Sequence, residues 1–352
     1  MKIAINGFGR IGRLFFRQAF GHPDIDIVAI NDLGSVQNLA YLLQYDTVYR
    51  KFPSEIRGLT RTETRPSDNG QGSTLNYLSV NEKKIPFFSQ KDPTKLPWKD
   101  LDVDLVVEAT GVFSEFGKAN VHLEAGAKRV LITAPAKDED GELGRTVLMG
   151  VNEEALKSCK ISSNGSCTTN ATSPVMKILS KDPGIVKASL TTVHSYTATQ
   201  SLVDGPVRHG SVRKGRAAAE NIIPATTGAA ISTGRAVEEI RGIFDGMAIR
   251  VPSVTGSVSD ITFVSSRKTS VEEINTILEE AAGTDQWKGI IKVSHDPIVS
   301  SDVVGEPYGA IIDAKFTKVI DGDLVKVLSW YDNEWGYTST LLKHALKIGK
   351  LL

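Results

Sequence analysis

Lys2-Ile3-Ala4-Ile5-Asn6-Gly7-Phe8-Gly9-Arg10-Ile11-Gly12 decides how the first half of the chain is read. Lys2 to Asn6 is a short apolar run of strand type, and Gly9 to Phe20 carries apolar residues at helical spacing. Ile25 to Asn31 is a second, near-continuous apolar run of the kind buried on both faces of a parallel sheet. Strand, glycine turn, helix and strand make a βαβ unit.

The three glycines have separate mechanical reasons. Gly7 permits a tight turn, Gly9 lets backbone approach a pyrophosphate, and Gly12 allows close packing of helix on strand, while the helix N-terminus favours the phosphate charge. Asp32 follows Gly12 by twenty residues, at the end of the second strand, where a carboxylate bonds ribose hydroxyls and repels a 2′-phosphate. Leu33 and Gly34 offer no cation to receive such a phosphate, so NAD is expected over NADP. A glycine-rich turn without a ligand is the weaker reading of so complete a pattern.

The alternation continues with helix Ser35 to Tyr45, strand Val103 to Glu108, helix Glu115 to Ala125, strand Arg129 to Thr133, and strands near Thr146 to Met149 and Lys160 to Ser163. This implies a doubly wound α/β half of the Rossmann type. Between Arg57 and Thr74 the composition turns to Thr, Arg, Ser, Asp, Asn and Gly, read as a polar surface loop between strands. Beyond residue 167 come longer β-branched runs, Val186 to His194, Met247 to Val251, Ser257 to Ser265 and Leu324 to Tyr331, with a helix at Val271 to Ala282. They predict an α+β domain with a mainly antiparallel sheet. Trp335 to Leu352 has helical spacing and is expected to end the chain as a helix. The domains predicted are 1–166, joined by the C-terminal helix 334–352, and 167–333.

At 352 residues two such domains are the natural division. Forty-one Lys and Arg balance forty-one Asp and Glu, which excludes a global field for nucleic acid or anionic membrane, so any anion site must be local. No apolar run approaches the ~20 residues of a membrane helix, and Met1 to Asn6 enters a strand pattern without a signal-peptide core; a cytoplasmic protein is expected. Two cysteines, Cys159 and Cys167, are too few for a disulfide framework or a cysteine-rich metal site, and no metal is expected.

Cys167 lies in Ser163-Asn164-Gly165-Ser166-Cys167-Thr168-Thr169-Asn170, shortly before the helical run Val175 to Leu179. A thiol near a helix N-terminus has its thiolate stabilised by the dipole and free N–H groups. Read by itself, the segment suits a small buried cysteine equally well. Pro174 fits a first helical turn better than an interior. His194 ends the strand pattern Leu190 to Thr197, where an imidazole can emerge as a base. Cys159, His22, His122, His209, His295 and His344 have no such setting and are read as packing or surface residues.

The chain resembles the glyceraldehyde-3-phosphate dehydrogenase family over almost its whole length. The carriers are Ile5 to Arg13, Ser163 to Asn170, His194-Ser195-Tyr196-Thr197, Ala225 to Ala230, Arg250-Val251-Pro252 and Trp330 to Tyr337. The resemblance implies that Cys167 attacks an aldehyde, that His194 acts as base, and that inorganic phosphate cleaves a thioester to give an acyl phosphate. It implies cofactor contacts at Gly7, Gly9, Arg10, Ile11, Gly12, Asp32, Lys91, Thr110, Thr133 and Asn333, the last holding the carboxamide. It implies a subsite for the phosphate of glyceraldehyde 3-phosphate around Thr197 and Arg250, and one for attacking phosphate around Ser166, Thr168, Arg213, Thr227 and Gly228. The cation-rich stretch Arg208, Arg213, Lys214 and Arg216 fits such anions, and its place in the family implies a homotetramer. Departures from the family pattern are Gly165, Ala171, Tyr49, Lys91, Thr199 and Ile231. An erythrose-4-phosphate dehydrogenase, or a non-catalytic protein binding NAD or RNA, are the alternatives; the catalytic reading requires no nucleic acid.

Overall fold

The structure is a computed structural model and describes residues 1–63, 73–207 and 210–352. The chain forms two compact units: Met1–Arg145 with Leu156–Ser163 and Leu341–Leu352, and Thr146–Ala155 with Asn164–Thr340.

The first unit runs β1 (Lys2–Asn6), α1 (Arg10–Ala19), β2 (Asp26–Asn31), α2 (Val36–Gln44), β3 (Ile56–Glu63), β4 (Ser73–Val80), β5 (Lys83–Phe88), β6 (Leu105–Glu108), α3 (Phe116–Ala119), α4 (Val121–Glu124), β7 (Arg129–Ile132), β8 (Gly144–Thr146) and β9 (Ile161–Ser163). The sheet order is β3-β4-β5-β2-β1-β6-β7-β9-β8. β5, β2, β1, β6, β7 and β9 pair in parallel, and their apolar runs are buried on both faces: Ile3, Ala4, Ile5, Leu105, Val106 and Val107 have no exposed surface. After β1 the chain first builds outward to β2 and later returns to β6 on the other side, which opens a crevice beyond the carboxyl ends of β1, β2 and β6.

Two sequence expectations change here. The stretch 57–74 is not a loop throughout: β3 and β4 pair antiparallel from Ile56↔Val80 to Glu63↔Ser73, and residues 64–72 lie outside the described residues. β3 is an edge strand, and its alternating Thr and Arg read as loop because an edge need not present an apolar face. The helix expected over 115–125 is two short helices meeting at Asn120, whose side-chain amide donates to Glu124 Oε1 at 2.8 Å.

His344 is fully buried in the first unit, with its Nε2 3.0 Å from Ser162 Oγ. Burial pushes its imidazole down to about 3 from 6.5. The folded state therefore keeps this ring neutral while the unfolded chain takes a proton below 6.5. Its contribution is complete above that pH and is lost as pH falls toward 3, at up to ~1.4 kcal/mol per pH unit. Urea unfolding at pH 7.5 and pH 5 is expected to show a stability loss that shrinks by about 2 kcal/mol in His344→Gln; an equal loss in both proteins contradicts the assignment.

The second unit contains α5 (Cys167–Lys181), β10 (Ile185–Ser195), β11 (Ile223–Thr226), α6 (Ala229–Ala236), β12 (Phe244–Val251), β13 (Ser257–Ser265), α7 (Val271–Ala282), β14 (Ile291–Ser294), β15 (Ala310–Asp313), β16 (Lys318–Ile320) and β17 (Leu324–Tyr331). α8 (Trp335–Gly349) begins in this unit and contributes Leu341 onward to the first. The sheet order is β11-β12-β10-β13-β17-β15-β14, with β16 on β17. It is mainly antiparallel, as expected; β10 with β12 and β14 with β15 are the parallel pairs. β13 buries every second residue, so one face meets the core. α5 packs against β10, β13, β15 and β17 and against α6 and α7, which accounts for the burial of nearly every residue from Thr168 to Met176. Among the described residues no helix is long and apolar enough to cross a membrane.

Candidate active site

In the first unit the crevice contains a cavity of about 500 Å³ lined by Gly7, Gly9, Asp32, Lys91 and Thr110, together with Asn6, Asn31, Leu33, Gln90, Pro93, Ala109, Val112 and Phe113. The glycines behave as their spacing predicts. Gly7 sits at φ +94°, and a Cβ there would lie 2.6 Å from the Ala109 carbonyl carbon; one on Gly12 would lie 2.1 Å from Gly7 O. A Cβ on Gly9 would meet nothing, so open space stands beside this N-cap, and α1 has no side-chain cap. The N-terminal end of such a helix favours an anion. Asp32 is fixed by the N–H groups of Phe8 (2.7 Å to Oδ2) and Gly34 (2.8 Å to Oδ1). Its neighbour Leu33 is 65% exposed and offers no counter-charge to a 2′-phosphate. These features fit a dinucleotide that is not 2′-phosphorylated.

Arg10, Ile11, Gly12 and Thr133 are not among the cavity's lining residues. Arg10 and Ile11 begin α1; the Arg10 guanidinium is held by Asp46 and lies 5.3 Å from the centre of the Tyr49 ring. Thr133 donates N–H and Oγ1 to Glu108 O, at 3.0 and 3.1 Å.

Beneath the cavity runs a buried polar network that sequence reading missed. Glu108, 2% exposed, accepts from Asn6 Nδ2 (2.5 Å), from the Thr110 N–H (2.8 Å) and from Thr110 Oγ1, and stands 2.9 Å from His122 Nε2. Trp98 Nε1 donates to His122 Nδ1 at 3.1 Å, which leaves the neutral ring's proton on Nε2, facing Glu108. His122 is thus a packing residue, but one that helps hold the strand ends bearing the cavity.

In the second unit Cys167 is the first residue of α5. Ser166 is its N-cap, and a reciprocal capping box with Thr169 (Thr169 N to Ser166 Oγ 3.0 Å, Ser166 N to Thr169 Oγ1 3.1 Å) fixes the helix start. Pro174, expected in a first turn, sits instead in the helix interior. Tertiary bonds brace the turns on either side of it: Ser329 Oγ donates to Ala171 O at 2.8 Å and Ser173 Oγ to Thr233 Oγ1 at 3.0 Å.

The half-buried Cys167 has its Sγ 3.3 Å from His194 Nε2. β10 carries His194 to its carboxyl end, and the parallel register with β12 sets Arg250 beside it. Arg250 Nη1 lies 2.8 Å from His194 Nδ1 and donates to Ser195 O at 2.9 Å, while Nδ1 is 2.7 Å from that same oxygen. Burial, then the Arg250 cation, push the imidazole down to about 3, leaving a neutral ring. Burial pushes the thiol up, against the Arg250 charge and the Thr168 N–H and hydroxyl. The helix end thus acts in the expected direction, but enclosure outweighs it. Cys159, by contrast, is a buried thiol raised by burial.

The other expected anion ligands are differently engaged. Ser166 serves the capping box, and Thr168 Oγ1 lies 2.9 Å from Tyr331 Oη, itself 2.8 Å from Thr192 Oγ1. Thr227 Oγ1 accepts from Ala229 N at 3.2 Å, capping α6 beside Gly228. Thr197 Oγ1 pairs with Thr199 Oγ1 at 3.0 Å. Arg213 is exposed on the turn Val212–Gly215, and among the described residues no bond links it to Cys167, His194 or Arg250. Arg216 is paired with Asp204, so it lends less to an anion field than its charge suggests, and Arg208 and His209 lie outside the described residues. Asn333 Oδ1 accepts from Thr255 Oγ1, Gly256 N and Ser257 Oγ at 3.3, 3.1 and 2.9 Å, so the oxygen is committed and the amide nitrogen is the group that can donate. Tyr331, whose ring centre lies 6.0 Å from that of His194 with the planes at 76°, ties α5 to β10 and was not foreseen; the only signal was its place in the Trp330 to Tyr337 block.

A doubly wound nucleotide unit and an α+β unit bearing a thiol against an imidazole are the parts of a pyridine-nucleotide-dependent oxidoreductase. Residues 1–116 match the family model for the glyceraldehyde 3-phosphate dehydrogenase NAD binding domain, and 166–333 match that family's C-terminal domain. The chain is 49% identical over 344 residues to glyceraldehyde-3-phosphate dehydrogenase of Thermotoga maritima, covering 97% of both chains. It is 45% identical over 359 residues to that of Mycobacterium tuberculosis, and 42% identical over 355 residues to glyceraldehyde-3-phosphate dehydrogenase 2 of Streptomyces avermitilis, in each case covering all of this chain and 99% of the relative. The chain belongs to the glyceraldehyde-3-phosphate dehydrogenase family.

Proposed function

We propose that the chain catalyses the oxidative phosphorylation of D-glyceraldehyde 3-phosphate to 1,3-bisphosphoglycerate with NAD and inorganic phosphate, through Cys167. The observation that carries this reading is the 3.3 Å approach of Cys167 Sγ to His194 Nε2 beside Arg250, in a chain of this family. His194 takes the thiol proton, Cys167 Sγ bonds the aldehyde carbon, and the proton passes from His194 to the carbonyl oxygen, giving a thiohemiacetal beside a neutral imidazole. NAD, when bound, would supply the hydride acceptor, and the neutral His194 takes the hydroxyl proton as the thiohemiacetal becomes a thioester. Phosphate oxygen then attacks the thioester carbon, the C–S bond breaks, and Cys167 leaves as thiolate.

Arg250 and Thr197 are the proposed holders of the substrate phosphate. Arg213, Thr227, Gly228, Ser166 and Thr168 are proposed for the attacking phosphate, at the start of α5 where the helix end favours an anion. Asn333, with its oxygen saturated, is proposed to donate to the carboxamide, and Arg10, Ile11 and Thr133 complete the cofactor contacts. A cytoplasmic homotetramer is the proposed form. Exposed apolar side chains at Leu202, Val203, Val212, Ile222 and Ile231 support association.

Initial rates test the reading. Glyceraldehyde 3-phosphate is expected to be oxidised with NAD far faster than with NADP, and far faster with phosphate present than without. Equal turnover without phosphate, or preference for erythrose 4-phosphate, contradicts it.

A further inference from the structure

Glu108 lies beneath the nucleotide cavity with four hydrogen bonds, and the direction of each is set by a neighbouring group that can act in one sense only. The Gln90 N–H donates to Asn31 Oδ1 at 2.8 Å, so the other amide atom of Asn31 is its nitrogen, which donates to Asn6 Oδ1 at 2.7 Å. Asn6 is thereby left with its own nitrogen toward Glu108 Oε2, at 2.5 Å. The Trp98 indole N–H occupies His122 Nδ1, so the ring proton is on Nε2, 2.9 Å from the same oxygen. At Oε1 the Thr110 N–H donates at 2.8 Å, and so does the Thr110 hydroxyl, which itself accepts from the Val112 N–H at 3.0 Å. Four donors converge, so the side chain is the acceptor-only carboxylate. All four donors are neutral. Glu108 is 2% exposed, and among the described residues no lysine or arginine pairs with it, so its negative charge is buried and keeps its field.

The sheet order β2-β1-β6 sets Asp32, just past β2, and Glu108, at the end of β6, on opposite sides of β1. Asn6 and Thr110 line the cavity and are bonded directly to Glu108. A dinucleotide with its adenosine ribose at Asp32 and its pyrophosphate at the start of α1 has its nicotinamide half on the β6 side. The charged residues that line the cavity, Asp32 and Lys91, follow β2 and β5 and so belong to the adenosine side. We propose that Glu108 selects the oxidised cofactor: its buried carboxylate, under the β6 end of the cavity, tightens the binding of NAD, whose nicotinamide ring is cationic, relative to NADH, whose ring is neutral. The two forms share every other charge, so repulsion between the carboxylate and the pyrophosphate is common to both and cancels in the comparison. Loss of the ring charge on hydride transfer removes the attraction, which loosens the reduced cofactor. The inference rests on NAD binding in this cavity and is independent of the reaction proposed at Cys167. Across about 15 Å of protein with an effective dielectric of about 20, a unit charge changes a dissociation constant by about five-fold.

The test is calorimetric titration of the intact, cofactor-free protein with NAD and with NADH, in the absence of aldehyde. In Glu108→Gln the ratio of the NADH to the NAD dissociation constant is expected to fall about five-fold from its wild-type value. In Glu108→Asp, which keeps the charge on a shorter side chain, both constants are expected to rise while their ratio stays within about two-fold of wild type. A carboxylate that only ties the strand ends together weakens both cofactors by one factor, and an unchanged ratio in Glu108→Gln overturns the proposal. A ratio that falls as far in Glu108→Asp puts geometry in place of charge and overturns it too. Titration with benzamide adenine dinucleotide, which replaces the pyridinium by an uncharged ring of the same shape, needs no variant. The wild type is expected to bind it about five-fold more weakly than NAD, and equal or tighter binding overturns the proposal even if the variants fold poorly. A wild type that binds neither NAD nor NADH contradicts the nucleotide reading of the cavity, and this inference with it.

Discussion

Replacing Cys167 with serine is expected to lower kcat by at least about 10⁴-fold, as removing a nucleophile does where it acts as a unit with its base. The hydroxyl fits the same first-turn position, and the Ser166–Thr169 capping box that sets the helix start does not involve the thiol. What is lost is nucleophilicity and leaving ability: an alcohol near neutral pH is far less ionised than a thiol, and an ester yields to phosphate more slowly than a thioester. NAD titration should be almost unchanged, because the cavity is lined by residues of the first unit. A variant that retains wild-type turnover removes Cys167 from the mechanism.

His194→Asn is expected to cost about 10²–10⁴-fold in kcat, the usual contribution of a positioned base, with little change in the KM for NAD. The ring's Nε2 is the nitrogen at 3.3 Å from the thiol, and an asparagine side chain cannot take a proton there. Because burial holds the thiol above its ordinary value, the variant must wait for the thiol to ionise unaided. Its residual rate should therefore climb with pH through the alkaline range. Initial rates across that range check both parts, and a kcat within about two-fold of wild type shows that another group is the base.

The first half of the fold was legible because its signals are local. Gly7, Gly9, Gly12 and Asp32 each answer a requirement set within one βαβ unit; the structure shows the tight turn at Gly7 and the close packing at Gly12, and Gly7, Gly9 and Asp32 line one cavity. β3 was not legible, since an edge strand of alternating Thr and Arg looks like a polar loop until its partner is known. The interior position of Pro174 was hidden for the same reason: the side chains that brace α5 come from Thr233 and Ser329, far along the chain.

The site divides in the same way. Cys167 could be placed near a helix start from Ser166, Thr168 and Thr169. Its meeting with His194 and Arg250 depends on β10 and β12 lying in parallel, a pairing between strands separated by more than forty residues that no local pattern announces. Tyr331 and the Glu108–His122–Trp98 network were missed because their importance lies in what they hold, which becomes visible only when the hydrogen bonds are traced.

The central claim is that the substrate carbon becomes bonded to Cys167 and that phosphate releases it. The enzyme is mixed with NAD and glyceraldehyde 3-phosphate in phosphate-free buffer, quenched in acid and analysed by peptide mass spectrometry. A phosphoglyceroyl adduct on the peptide carrying Cys167, formed with one NADH per active site and discharged when phosphate is added before the quench, is the result predicted. NADH formation without an adduct, or an adduct on Cys159, contradicts the account.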